Sequence, residues 1–212
     1  LGDVYKRQIL YTLDRKELHY PGVPKEYSIV NKSTDICWYP LRVTYSRELQ
    51  LKEVLDAECI ENFIPMHYEY VKQGERKIRK LVPVVHNLVF VHSSFACIDR
   101  VKQSLGSSLS VRYIIDRETN RPLIVPDSQM HSFIAVSGNY EEQIVYLDPA
   151  LTSLRKGDRV RIIGGVFEGV EGIVIRVKGD RRVSVCIKGI MAVATAYIHP
   201  SLIELIPDAA CE

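Results

Sequence analysis

From Ile36 onward the chain alternates between runs with a two-residue apolar period and runs with a three-to-four-residue one, and each switch marks an element. Ile36-Cys37-Trp38-Tyr39-Pro40-Leu41-Arg42-Val43 reads as a strand. Ser46 stands where an N-cap belongs, ahead of a helix from Arg47 to about Ala57 whose apolar positions Leu51, Val54 and Leu55 fall at i, i+3 and i+4. Glu48 and Lys52 are expected as an i,i+4 pair on its other side. Cys59 to Val71 reads as the next strand, with Gln73-Gly74-Glu75 as the turn of a charged hairpin. Val82 to Val91 is almost wholly apolar apart from Pro83 and His86-Asn87, the pattern of a strand buried on both faces and interrupted by a turn.

Ser93 or Ser94 is placed to cap a second helix, with Phe95, Ile98, Val101 and Leu105 as its apolar stripe and Gly106 as its stop. A strand from Val111 to Ile115 follows. Asp127 is expected as the N-cap of a third helix that carries Met130, Phe133 and Ile134 and ends at Gly138. The order β-α-β-β-β-α-β-α, with short connections, predicts an α+β fold in which helices pack on an antiparallel sheet.

From residue 138 to 153 the pattern fades into an expected linker, with Ile144 to Leu147 as a short pairing segment. Alternation then returns. Arg159 to Ile163, Ile173 to Val177, Val183 to Ile187, and segments around Met191 to Tyr197 and Leu202 to Leu205 make five short strands. Closing such a set into a small β-barrel removes most exposed edges, so a five-stranded barrel over residues 154–207 is expected. The organisation read from the pattern is thus an extension at 1–35, a first domain at 36–137, the linker, and the barrel. Residues 1–8, which begin without a methionine, are read as lying outside the fold.

Composition narrows the chemistry. Over 212 residues the chain is 46% hydrophobic and 25% charged, with a net charge of +2, so any contact with nucleic acid must come from local basic clusters rather than bulk charge. Five scattered cysteines without a C-x-x-C pair suit reduced thiols in a cytoplasmic protein, and six dispersed histidines give no zinc spacing. No run approaches the ~20 apolar residues of a membrane span. There is no P-loop, G-x-S-x-G or H-E-x-x-H, so neither an enzyme nor a cofactor site is expected.

Lys156 to Gly172 reads K-G-D-R-V-R-I-I-G-G-V-F-E-G-V-E-G: a charged turn, a short strand, and a glycine-rich corner before the next strand. This run resembles the KOW motif of NusG-type transcription factors and some ribosomal proteins. Trp38-Tyr39, the helix after Ser46, Phe63-Ile64-Pro65, the Arg/Lys-rich hairpin and Leu88-Val89-Phe90-Val91 resemble, in that order, the NGN domain of the NusG family. His86-Asn87 stand where Pro-Gly is usual. With Val125-Pro126-Asp127-Ser128-Gln129-Met130 and Phe133-Ile134, the chain looks most like the UpxY-type specialised NusG paralogues of Bacteroides, antiterminators of capsular polysaccharide operons.

The resemblance implies an adaptor without catalysis, monomeric, that binds RNA polymerase through an apolar depression in its NGN domain. Trp38, Tyr39, Phe63, Val85, Leu88 and Phe90 are the residues it points to; as strand residues they are equally readable as core. Arg76, Lys77, Arg79 and Lys80, with Lys72, form the densest basic cluster, either a contact to non-template DNA or nascent RNA or a solvated hairpin. Tyr45, Arg47 and Gln50 occupy the region where paralogues touch an unpaired strand, and an aromatic beside an arginine is equally ordinary helix-start chemistry. In the KOW part, Arg161, Phe167 and Lys188 mark the partner surface for a ribosomal protein. Lys188 stands where housekeeping members often carry an aromatic used in binding Rho, and Val170 where a second aromatic is common. That departure favours antitermination over the two other readings, a general or Rho-assisting elongation factor and a ribosome-associated RNA-binding protein.

Overall fold

A computed structural model describes residues 35–74, 76–140, 143–147, 157–187 and 190–207. The chain opens with β1 (Ile36–Val43), α1 (Glu48–Ala57), β2 (Glu61–Phe63), β3 (Met66–Gln73), β4 (Arg76–Pro83) and β5 (Leu88–Ser94). It continues through α2 (Phe95–Leu105), β6 (Val111–Tyr113) and α3 (Asp127–Ser137). These strands form a four-stranded sheet, in the order β2-β5-β1-β6, and a separate two-stranded ribbon, β3-β4. All their pairings are antiparallel. The α+β reading therefore holds for this part, with one strand more than expected. The run from Cys59 to Val71 is not continuous, because Ile64-Pro65 breaks it and lets β3 leave the sheet to pair with β4.

Alternation along β1 and β5 sends side chains to two different layers. Tyr39, Leu41, Val89 and Val91 pack under α1 and α2, against Leu51, Leu55, Ile98 and Val101. Trp38, Leu88 and Phe90, with Phe63 of β2, face the other way, toward Met130, Phe133 and Val136 of α3.

The helix ends depart from expectation in instructive ways. Ser46 does not cap α1: the residue at the N-cap position is Arg47, with no side-chain cap. Tyr45 and Ser46 instead both take positive φ, 61° and 51°, and the Ser46 N–H donates to Asn87 Oδ1 at 2.7 Å, which ties the helix start to the β4–β5 turn. Glu48 and Lys52 do not lie on a solvent-facing side of α1. Both are buried, Lys52 pairs with Asp56 at 3.1 Å, and Glu48 lies 3.5 Å from His86. At α2, Ser94 Oγ accepts from the Cys97 N–H at 3.2 Å, so the expected cap is present there. In α3 the N-cap position is Pro126, and Asp127 is the first helical residue, where its charge suits the positive helix end.

The C-terminal strands are β7 (Val145–Leu147), β8 (Arg159–Ile162), β9 (Glu171–Val177), β10 (Asp180–Ile187), β11 (Met191–Ala194) and β12 (Ile203–Leu205). They make one antiparallel sheet of six strands, ordered β12-β8-β9-β10-β11-β7. Among the described residues the strands do not show the closed five-stranded barrel expected from the pattern. Among the described residues the edge strands β12 and β7 do not pair with each other, and β7, from the segment expected as linker, extends the sheet beyond β11. The glycine-rich corner behaves as its composition requires. Gly169 has φ of 86°, and a Cβ on Gly172 would sit 2.5 Å from the Ser184 carbonyl oxygen, so β9 and β10 approach too closely there for any side chain.

Candidate functional site

Helix α3 joins the two halves. It is apolar on more than one side, with Met130, Phe133, Ile134 and Val136 all buried, as expected of a helix covered on both flanks. One flank meets the first sheet, where the Phe133 ring lies 6.3 Å from Phe63 and 5.8 Å from Phe90, centroid to centroid. The other flank meets β9, β10 and β11. There Gln129 Nε2 donates to the Cys186 carbonyl at 2.5 Å, and the Glu171 N–H donates to Ser132 Oγ at 3.2 Å. Tyr146 of β7 adds a third tie, donating its hydroxyl to the Met66 carbonyl at 3.4 Å; burial holds that phenol above its ordinary pKa. The result is one continuous apolar cluster that runs from Trp38, Phe63, Leu88 and Phe90 through α3 into Val183, Val185, Ile187 and Val193.

The six residues expected at an apolar depression are thus divided. Trp38, Phe63, Leu88 and Phe90 lie together beneath α3, and half-buried Val85 packs on the same cluster. Tyr39 lies on the opposite face of the sheet, among the residues under α1 and α2, with its ring 5.7 Å from Tyr113. None of the four central residues is exposed by more than 3%. Trp38 stacks on His92, with centroids 4.8 Å apart and planes 11° from parallel. His92 Nδ1 is 2.6 Å from Glu61 Oε2 and its Nε2 is 3.9 Å from Asp127 Oδ1, so this histidine links β2, β5 and the start of α3. Trp38 Nε1 is buried with no hydrogen-bond partner among the described residues.

The polar candidates fall into two separate places. Tyr45, exposed to 84%, carries the Arg47 guanidinium 5.6 Å from its ring centre, and Arg47 Nη1 donates to the Ser108 carbonyl at 2.6 Å. Gln50 is exposed one turn further along α1. Arg76, Lys77, Arg79 and Lys80 line the exposed β4 arm of the ribbon. The β3 arm contributes two residues that charge alone does not point to, Tyr68 and Tyr70, exposed to 43% and 65%. Their signal was present as the alternation Tyr68-Glu69-Tyr70-Val71, but it reads as an ordinary strand until the ribbon is seen to stand apart from both larger sheets.

At the C-terminal corner, Arg161 is exposed and its Nε and Nη2 donate to Glu171 Oε1 at 2.9 and 2.5 Å. That bond holds the guanidinium pKa above its ordinary value. Phe167 is buried within the shared cluster rather than displayed at the corner, and Val170 is buried beside it. Lys188 lies outside the described residues. Among the described residues no group of three or more His, Cys, Asp or Glu is arranged to hold a metal ion, and no helix is long and apolar enough to cross a membrane.

Two comparisons bear on this geometry. Residues 36–134 match the family model described as "Transcription termination factor nusG", a span that holds the first sheet, the ribbon, α1, α2 and most of α3, just under half of the chain. No curated protein matches the sequence.

Proposed function

We propose that this chain, which carries a NusG-family domain over residues 36–134, is a transcription antiterminator of the UpxY type, acting on RNA polymerase at polysaccharide biosynthesis operons. In this reading residues 36–137 and 154–207 are an NGN and a KOW domain. The protein works in the cytoplasm as a monomeric adaptor and does no chemistry of its own. The family match supports the general role in transcription elongation and termination.

The observation that favours a specialised factor over a general one is the shared cluster around α3. The apolar side chains proposed to meet polymerase, Trp38, Phe63, Leu88 and Phe90, lie beneath α3, and the C-terminal sheet rests on the far side of that helix. A factor required on every transcript gains nothing from a covered contact surface, whereas one reserved for particular operons does. Polymerase engagement then requires the β9–β11 face to leave α3 and α3 itself to move off the four side chains beneath it. The polar ties Gln129–Cys186 and Ser132–Glu171 and the apolar contacts of Val183, Val185 and Ile187 are what that exchange would give up. The ribosomal-protein contact proposed for Arg161, Phe167 and Lys188 belongs to the released sheet, since Phe167 is buried in the docked one.

Single-round transcription through a Rho-dependent terminator, with and without the protein, tests the reading. Increased read-through is the expected result, enhanced by Gln129→Ala/Ser132→Ala because that pair loosens the cover. Increased termination would make the chain a Rho-assisting factor and overturn the assignment made at Lys188.

A further inference from the structure

The β3–β4 ribbon carries two different faces. Its register sets Tyr68 opposite Leu81, Tyr70 opposite Arg79 and Lys72 opposite Lys77, so these six residues share one face. Glu69 is opposite Lys80 and Val71 is opposite Ile78, on the other. The first face therefore holds two tyrosines and three cations, while Glu69 of β3 lies on the other face. Tyr68 is held in place: the Arg79 guanidinium lies 3.9 Å above its ring and the Tyr140 ring meets it edge-on at 5.9 Å. Tyr70 is the more open ring, exposed to 65%, and Lys72 and Lys77 are exposed beyond it.

Burial does not explain these rings. A core role is excluded by their exposure, and a solvated hairpin needs charge but not two aromatics on its most basic face. We infer that the Tyr68–Tyr70 face is a stacking platform for single-stranded nucleic acid, with Tyr70 taking a base and Lys72, Lys77 and Arg79 meeting the phosphates. Tyr68, with one ring face under Arg79 and Tyr140 packed edge-on, braces the platform about 7 Å along the strand from Tyr70. A ring can reach a base face only where the strand is unpaired, because duplex bases cover one another and offer edges alone. Cation–π contact from Arg79 strengthens the platform without choosing a sequence. This inference deepens the function proposed above by naming the form of nucleic acid that the hairpin takes, and it is tested without polymerase, so its failure would leave the read-through result untouched.

The test is fluorescence anisotropy with the full chain and four labelled probes of equal length: single-stranded DNA, single-stranded RNA, and the corresponding DNA and RNA duplexes. A single strand is expected to bind more tightly than its duplex, the DNA and RNA arms telling which strand of a transcription complex is the natural one. Tyr70→Ala is expected to weaken single-strand binding about 5- to 150-fold, from the ~1–3 kcal/mol of one base–aromatic stack, while Tyr70→Phe retains most of it. Lys72→Ala/Lys77→Ala is expected to flatten the dependence of log affinity on log salt. Tyr70 is an exposed strand residue, so circular dichroism should find the variants folded. Equal affinity for duplex and single strand, no loss in Tyr70→Ala, or no binding to any probe would each overturn the platform.

Discussion

The Glu171 N–H, on the strand that leads out of the glycine-rich corner, is satisfied by Ser132 Oγ on α3, 3.2 Å away and 39 residues earlier in the chain. An amide whose partner is a side chain across a seam reports on that seam alone. Ser132→Ala should therefore speed hydrogen exchange at the Glu171 amide selectively, leaving the sheet amides of β10 protected. The cost of one such bond is about 0.5–1.5 kcal/mol, which corresponds to roughly two- to tenfold more time with the seam open. Residue-resolved exchange by NMR is the measurement, and uniform acceleration throughout the sheet would mean that Ser132 supports the fold rather than the docking.

Trp38 is the only tryptophan of the chain, exposed to 1%, and stacked on His92 at the middle of the shared cluster. Removing its ring leaves a cavity that neighbouring strands cannot fill, and Trp38→Ala should cost about 3–5 kcal/mol. Urea unfolding followed by far-ultraviolet circular dichroism measures it, since the fluorescent reporter goes with the ring. This matters for function as well. A loss of read-through in Trp38→Ala would not distinguish a lost polymerase contact from a lost fold, whereas the substitutions at half-buried Gln129 and buried Ser132, which remove only polar ties to the C-terminal sheet, separate the two.

How much of this was legible beforehand depended on whether a residue's surroundings were local. The helix end at Gly106, the cap at Ser94 and the hairpin at Gln73–Arg76 are settled within a few residues, and the pattern identifies them. Ser46 departs from the expected cap because its N–H is taken by Asn87, 41 positions away. For Glu48 and Lys52 the i,i+4 spacing is local, but their burial depends on the turn carrying His86 and on the side chain of Asn62. At the proposed interface, apolar identity was readable at Trp38, Phe63 and Phe90, but the parity of β1 that sends Tyr39 to the opposite layer required the sheet. The covering of α3 was out of reach, because Met130, Phe133 and Ile134 alone look like one stripe on one face.

Tyr39 and Tyr113 give the fold an alkaline limit. Burial raises the Tyr39 phenol to about 12, and burial together with Asp99, which accepts from the Tyr113 hydroxyl at 3.3 Å, raises Tyr113 as well. A folded-state pKa above the unfolded value of about 10 means that the native state holds the proton more tightly. The stabilisation is complete below about pH 10 and is lost as pH climbs toward about 12. Stability followed by Trp38 fluorescence should fall over that window. Tyr39→Phe should flatten the fall, since a phenyl ring at this site has no proton to lose.

The glycine-rich corner allows two kinds of constraint to be told apart. At Gly172 the obstacle is space: a Cβ would meet the Ser184 carbonyl oxygen at 2.5 Å, and that oxygen belongs to the paired backbone of β10. At Gly169 there is open space but a φ of 86°. Gly172→Ala should therefore destabilise the C-terminal sheet by about 1–3 kcal/mol through forced strand separation, and Gly172→Asn should be at least as harmful. Gly169→Ala should cost about 1–2 kcal/mol through backbone strain, and Gly169→Asn should recover part of it because asparagine tolerates left-handed φ. Thermal unfolding of the four variants measures both effects. Recovery by asparagine at 169 but not at 172 is the expected outcome, and recovery at both would mean that β9 and β10 can separate at Gly172 without penalty.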